Sequence, residues 1–373
     1  MKVLFVATVP IHINTFHLPY LKYFKNLGFE VHVATNEYMS FPNCDKEHVV
    51  PFERNPFKIN NIKAYTQLKS MIDTEKYDII HCHTPVGGAI ARLAAKKSRK
   101  KNNTKVVYTA HGFHFYKGAP LVNWIAFYPV EKYLSKFTDA LITINKEDYN
   151  LAKEKMKAKN IYYVPGVGLD TDKIANCKVN RAEKRKELGI SDDDFVVLSV
   201  GELNENKNHK VIINAISKLN NSKIHYFIAG CGPLKEEYNT LIETLNLKSN
   251  IHLLGYRKDV IELYTMANIF CFPSFREGLS VSLMEAMASG LPCVVSKIRG
   301  NVDLIDDCGG CLINPLDDIE FGKAINNILN NGLALKMGEH NIQTVKNFTI
   351  NIVSEKMKQI YDSMITFMSG EKQ

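Results

Sequence analysis

Short runs rich in Val and Ile alternate along this chain with longer mixed segments, the pattern of parallel strands separated by covering helices. Lys2 to Thr8 reads as a strand, Thr15 to Leu27 as a helix ending at Gly28, and Glu30 to Thr35 as the next strand. Tyr77 to Cys82, Lys105 to Ala110 and Ala140 to Ile144 continue the series, which predicts one doubly wound α/β unit. A second series starts at Phe195 to Val200 and runs through His225 to Ala229, Ile251 to Leu254, Ile269 to Phe272 and Pro292 to Ser296. Between them, Val164-Pro165-Gly166-Val167-Gly168-Leu169-Asp170 interrupts both periodicities, placing the interdomain connection near 165 to 175. The expected domains are 1–168 and 169–373, with the last helix, about 350–370, a candidate to pack back on the first. The fold class is α/β, with two Rossmann-like doubly wound domains facing a central cleft and offering it their strand-end loops.

With 373 residues, the chain exceeds the size at which one core stops growing. No run of 18 apolar residues occurs, and the N-terminal MKVLFVATVP lacks a small-residue cleavage site, so a cytoplasmic protein is expected. The eight cysteines are scattered, mostly within apolar runs where Cys acts as a small hydrophobe. Cys308 and Cys311 form one C-x-x-C, read as packing or loop residues because no second pair accompanies them. The acidic runs Asp192–Asp194, Asp306-Asp307 and Asp317-Asp318 read as solvated turns.

Charge is unevenly distributed. The net charge is +8, yet residues 1–170 carry 24 Lys and Arg against 14 Asp and Glu, and the remainder is slightly acidic. The densest basic run, Lys96-Lys97-Ser98-Arg99-Lys100-Lys101, has two readings: a solvated helix end, or a contact with anionic lipid head groups. Nucleic acid is set aside, because no aromatic-interleaved basic platform accompanies the run. The aromatic stretch from Phe113 to Pro129 is either core or a surface for a polyprenyl chain or bilayer edge.

Candidate chemistry gathers where the second series of strands ends. Gly201-Glu202-Leu203-Asn204-Glu205-Asn206-Lys207 follows Val200, and Gly230-Cys231-Gly232-Pro233 follows Ala229, where small residues let backbone approach a ligand. After Phe272 comes Pro273 to Ser280, then a helix whose N-terminus near Leu279 or Ser280 suits phosphate. Glu277 precedes that helix and Glu285 lies in its second turn. Eight residues span roughly 12 Å if helical, enough to hold separate parts of an extended ligand. Carboxylates accept hydrogen bonds from vicinal hydroxyls, which a sugar nucleotide has at both ends.

These residues resemble the family 4 glycosyltransferases, retaining enzymes of the GT-B fold. Glu277 and Glu285 match the E-x7-E motif, followed by Glu-Ala-Met-Ala-x-Gly-x-Pro at 285–292. Tyr77 to Pro85, His111-Gly112, Val164 to Asp170, the Gly201 loop with Lys207, Gly230-x-Gly232-Pro233 and Leu254-Gly255-Tyr256 follow in family order. The resemblance implies a hexosyl- or N-acetylhexosaminyltransferase that moves sugar from a nucleotide diphosphate, UDP by choice, onto a hydroxyl. Glu285 would bind ribose, Glu277 the donor sugar and Lys207 the diphosphate, while His111 would face the reacting sugar. Further donor-side candidates are Gly201, Glu202, Gly230, Gly232, Tyr256, Arg257, Gly278, Leu279, Ser280 and Arg299. His12, His17, Phe113 and His114 are acceptor-side candidates. The resemblance further implies no metal or other cofactor. The expected acceptor is a lipid-linked or growing exopolysaccharide or capsule glycan, at the inner face of the membrane.

Two departures from the family pattern stand out. Glu202 replaces a usual phosphate-binding Arg, and Arg299 is the candidate to compensate. The usual Gly-Gly loop after the first strand is replaced by Val9-Pro10-Ile11-His12-Ile13-Asn14-Thr15-Phe16-His17. Glu202 motivates one alternative, a nucleotide-sugar-binding partner without turnover. A GT-B sugar-nucleotide epimerase is another. His81 and His83 flank Cys82 on one strand, but no third metal ligand is evident beside them.

Overall fold

The computed structural model describes residues 1–370, with side chains described through residue 366. Contacts divide the chain into two units, Met1–Val167 joined by the helix from Asn351 onward, and Gly168–Ile350. The last helix therefore belongs to the first unit rather than to its neighbours in sequence.

The first unit is built on seven parallel strands, β1 (Lys2–Val6), β2 (Glu30–Thr35), β3 (Lys46–Val49), β4 (Ile79–His83), β5 (Lys105–Ala110), β6 (Ala140–Thr143) and β7 (Asn160–Tyr163), in the order 3-2-1-4-5-6-7. Six parallel strands form the second: β8 (Phe195–Val200), β9 (Ile224–Ala229), β10 (Ile251–Gly255), β11 (Ile269–Phe272), β12 (Cys293–Ser296) and β13 (Gly310–Ile313), in the order 10-9-8-11-12-13. The strands β3 and β7 escape the hydrophobic pattern because their residues are half-buried or exposed, and β13 because its four residues are too few to show one.

Alternation of side chains along a strand splits the first sheet's apolar residues between two faces. Leu4, Val6, Ile80 and Val106 enter one core, while Val3, Phe5, Ile79 and Val107 enter the other. Val353, Met357, Ile360, Tyr361 and Met364 of the helix Ile350–Gly370 complete that second core. The buried Tyr361 hydroxyl lies 2.7 Å from His81 Nδ1, tying the helix to β4.

The segment Val9 to His17, expected as a loop, is helical from Pro10 to Phe16, and a second helix, Leu18–Asn26, follows directly. Pro10 supplies the preset φ of a first helical turn, a signal that the absence of the usual glycines obscured. The aromatic stretch resolves by residue. Phe113 and Phe115 are buried, Trp124, Phe127 and Tyr128 pack on them, and Leu121, Val122 and Ile125 stand exposed on the helix Leu121–Ser135.

Each sheet has one switch point, where successive crossovers depart in opposite directions: between β1 and β4, and between β8 and β11. Helices diverge there and leave a crevice at the strands' carboxyl ends.

Candidate active site

The loops after β8 through β12 carry the donor-side residues singled out in the sequence, and polar side chains join the β8 and β11 loops across the switch point. Asn206 Nδ2 donates to the Arg276 carbonyl at 3.0 Å, and its own carbonyl accepts from Phe275 N at 2.8 Å. Asn208, in the left-handed region at φ 52°, donates to the Pro273 and Pro315 carbonyls. Asn204 caps the short turn by accepting from Lys207 N at 3.0 Å. These asparagines carried no signal in the sequence beyond their turn preference.

Held in this way, Lys207 Nζ meets Glu277 Oε1 at 2.8 Å, with the Phe272 ring centroid 4.6 Å from the ammonium. An ammonium has three donors, so pairing with Glu277 leaves capacity for phosphate oxygens. Arg299, 4% exposed, donates Nε to the Glu277 carbonyl at 3.1 Å and so braces the same loop. Glu202 lies apart from that pair and accepts from Asn204 Nδ2 at 2.9 Å.

Ser280 is the N-cap of the helix Val281–Ala288, its hydroxyl accepting from Leu283 N. Gly278 and Leu279 lead into that cap, so the free N–H groups of the first turn stand beside Glu277. Glu285, one turn further, is half-buried, and burial raises its carboxyl above the usual range. The Tyr264 hydroxyl shares its proton between Glu285 Oε2 at 3.1 Å and the Ser282 carbonyl at 3.0 Å. Tyr264 is thus a site residue that sequence reasoning missed, since it reads as an ordinary helix aromatic.

The glycines also meet a packing need that the sequence did not show. A Cβ on Gly230 would stand 1.8 Å from the Gly201 carbonyl oxygen, and one on Gly232 would stand 2.3 Å from that of Leu203. Loop-on-loop packing by itself therefore requires glycine at both positions. Tyr256 is exposed, and Arg257 is engaged by Asp259 and Glu187.

In the first unit, the acceptor-side candidates divide. Phe113 is 3% exposed, stacked on Phe115 in the hydrophobic core, which removes it from any acceptor surface. His114 stacks on Phe127 at 4.6 Å. His12, His17 and His111 converge with His83: His12 Nε2 is 3.2 Å from both His17 Nε2 and His111 Nε2, and the His17 and His83 rings stack at 3.7 Å. Burial holds all four imidazoles neutral, His12 down to about 4 and the others well below the usual histidine range. One nitrogen from each lies within 4.8 Å of the rest, a set able to hold a metal ion. A second, exposed set pairs Cys308 with Asp306 and His340, the last brought from a distant helix.

Comparison with known proteins agrees with this architecture. Residues 180–346 match the family described as glycosyl transferases group 1, and residues 2–145 match glycosyl transferase 4-like. EpsD of Bacillus subtilis (strain 168), which carries a glycosyltransferase assignment, is 40% identical over 100% of this chain and 99% of its own. The Escherichia coli UDP-Gal:alpha-D-GlcNAc-diphosphoundecaprenol alpha-1,3-galactosyltransferase is 29% identical over 84% of this chain and 82% of its own. The crystal structure of Anabaena HepE in complex with UDP superposes with a TM-score of 0.80 at 17% identity, covering 97% of this chain and 100% of HepE. That likeness, with two parallel-sheet Rossmann-like units, shows the GT-B fold.

Proposed function

The chain belongs to the group 1 glycosyl transferases, and from that membership we propose that it moves a sugar from a UDP-sugar, with retention, to a hydroxyl of a lipid-linked glycan during polysaccharide assembly. The observation that carries the reading is the Lys207–Glu277 pair, set beside a capped helix N-terminus and eight residues before Glu285. Cation and dipole would stabilise charge developing on the departing diphosphate, where preorganised electrostatics matters most. Glu277 would take sugar hydroxyls and Glu285 those of ribose.

In the proposed step the bond from the anomeric carbon to phosphate oxygen breaks, and the diphosphate leaves with the electron pair. The acceptor oxygen bonds to the same face, passing its proton to the leaving phosphate. No side chain is assigned as nucleophile. Lys207 and the helix terminus supply positive charge, so no ion on the diphosphate is required.

The undecaprenol-linked acceptor of the E. coli relative supports a lipid-borne acceptor here. Leu121, Val122 and Ile125 are exposed apolar residues on one helix, and a cavity of about 300 Å³ is lined by Lys69, Lys96, Lys97, Lys100 and Lys101. Both features fit a protein working against an anionic bilayer, although Lys97 and Arg99 are already paired with Asp73 and Asp139. Among the described residues no helix is long and apolar enough to cross a membrane.

The test is a mass-spectrometric transfer assay, in buffer without added Mg2+ or Mn2+, offering UDP-, GDP- and ADP-sugars with short-chain polyprenyl-diphosphate sugars. A product one sugar heavier, abolished in Glu277→Ala, supports the reading. Donor binding without extension of any acceptor would replace it with the non-catalytic binding partner that Glu202 suggests, and donor isomerisation without acceptor would favour an epimerase.

A further inference from the structure

The four-histidine cluster at the first switch point has hydrogen-bonding demands that the protein alone leaves unmet. A neutral imidazole has one N–H donor and one acceptor nitrogen. His12 Nε2 faces two other Nε2 atoms, each at 3.2 Å. Whether it carries a proton or a lone pair, it can make one well-aligned N–H···N bond, and the second contact must share that one proton or lone pair. His83 is more exposed to this difficulty: it is 0% solvent-accessible, and neither of its ring nitrogens has a partner. His17 Nδ1 is likewise buried without one.

A cation taking one lone pair from each ring, once the stacked His17 and His83 rings turn toward it, removes the conflict. Metal–nitrogen bonds of about 2.0–2.1 Å in a tetrahedron place ligand atoms roughly 3.3 Å apart, close to the two short separations here. A cavity of about 20 Å³ adjoins His17 and His111, with room for about one water-sized species. The ligands come from three strand ends that only the sheet order brings together: His12 and His17 after β1, His83 at the end of β4, and His111 after β5.

We propose that His12, His17, His83 and His111 form a binding site for a single transition-metal ion, Zn2+ by the all-imidazole ligand set. Imidazole suits zinc and its neighbours, whereas the ions that grip diphosphates, Mg2+ and Mn2+, favour oxygen ligands. The site therefore departs from the sequence expectation of no metal without supplying one to the donor. It pins the helix Pro10–Phe16 to β4 and β5 and fixes the ring of His111. Coordination through Nε2 leaves Nδ1 of this half-buried ring as the nitrogen that carries the proton.

The probe is Co2+ added to metal-free protein made without a polyhistidine tag. The expected result is one equivalent per chain, visible d–d bands of four-coordinate strength, displacement by Zn2+, and a higher melting temperature with the ion. His17→Ala and His83→Ala should each weaken binding by more than the roughly 100-fold typical of losing an outer partner. His83→Asn serves if the alanine variant does not fold, and His340→Ala should leave binding unchanged. Less than half an equivalent bound by the wild type overturns the proposal. So does a near-ultraviolet thiolate band abolished by His340→Ala, which would place the ion at Cys308, and so does unchanged affinity in both cluster variants.

Discussion

Lys207 and Glu277, seventy residues apart in sequence, form an ion pair of 2.8 Å whose side chains are 20% and 14% exposed. The loops after β8 and β11 meet there because those strands are neighbours in the sheet. Replacing Lys207 by Met should weaken UDP-sugar binding by roughly 10- to 150-fold, the equivalent of one charge-assisted contact of about 1.5–3 kcal/mol. It also leaves a half-buried carboxylate unpaired, so a Lys207→Met/Glu277→Gln double variant should regain stability without regaining affinity. Calorimetric titration beside denaturant melts separates the two effects.

Glu285 offers stability and binding that oppose each other. Burial raises its folded pKa above the unfolded value, so the stability linked to the protonated form is full at acid pH and lost as pH rises through the raised pKa. Glu285→Gln should then raise the melting temperature at pH 7.5, with less gain at pH 4.5, while reducing donor affinity. A melting temperature lowered at pH 7.5 would show that the carboxylate is stabilised by its surroundings.

Arg92 is 0% exposed and holds Glu131 through two hydrogen bonds of 2.8 and 3.0 Å, with its guanidinium 3.8 Å from the Tyr108 ring centroid. The pair joins the helix Leu121–Ser135, which carries Leu121 and Ile125, to the helix Pro85–Ala94. Glu131→Ala leaves a buried unpaired cation and should cost about 3–5 kcal/mol, read as a lower urea midpoint.

His209 sits buried at the start of the helix His209–Leu219, its Nδ1 3.1 Å from the Tyr226 hydroxyl, and burial pushes its pKa down to about 3. A depressed folded pKa means stability that is complete above the unfolded value of about 6.5 and is lost as pH falls toward the folded one. Between pH 6.5 and 5 the loss from this residue is about 1.6 kcal/mol. His209→Gln should flatten the fall in stability over that window relative to the wild type; an unchanged slope would show that His209 takes no part.

The two α/β series were legible because strand and helix periodicities are local: β2, β5, β8 and β11 run within a residue or less of their hydrophobic runs. Strands β3 and β7 were not, since half-exposed residues carry little alternation, and the four residues of β13 were too few to show any. Among the candidate donor-side residues, Glu277, Glu285 and Lys207 could be singled out from motif spacing. Tyr264, Asn206 and Asn208 could not, because each acts by contacting a segment remote in sequence.

By itself the sequence determined two parallel-sheet units, their division near Val167, and which acidic and basic residues stand as candidates in the loops after β8 and β11. Tertiary structure decided that Gly230 and Gly232 serve loop packing, that Phe113 is core, and that the last helix returns to the first unit. It also decided that four histidines from three strand ends share one buried space. The physical reason is range: periodicity and turn chemistry act over a few residues, whereas the strand order 3-2-1-4-5-6-7 sets which distant chain ends become neighbours.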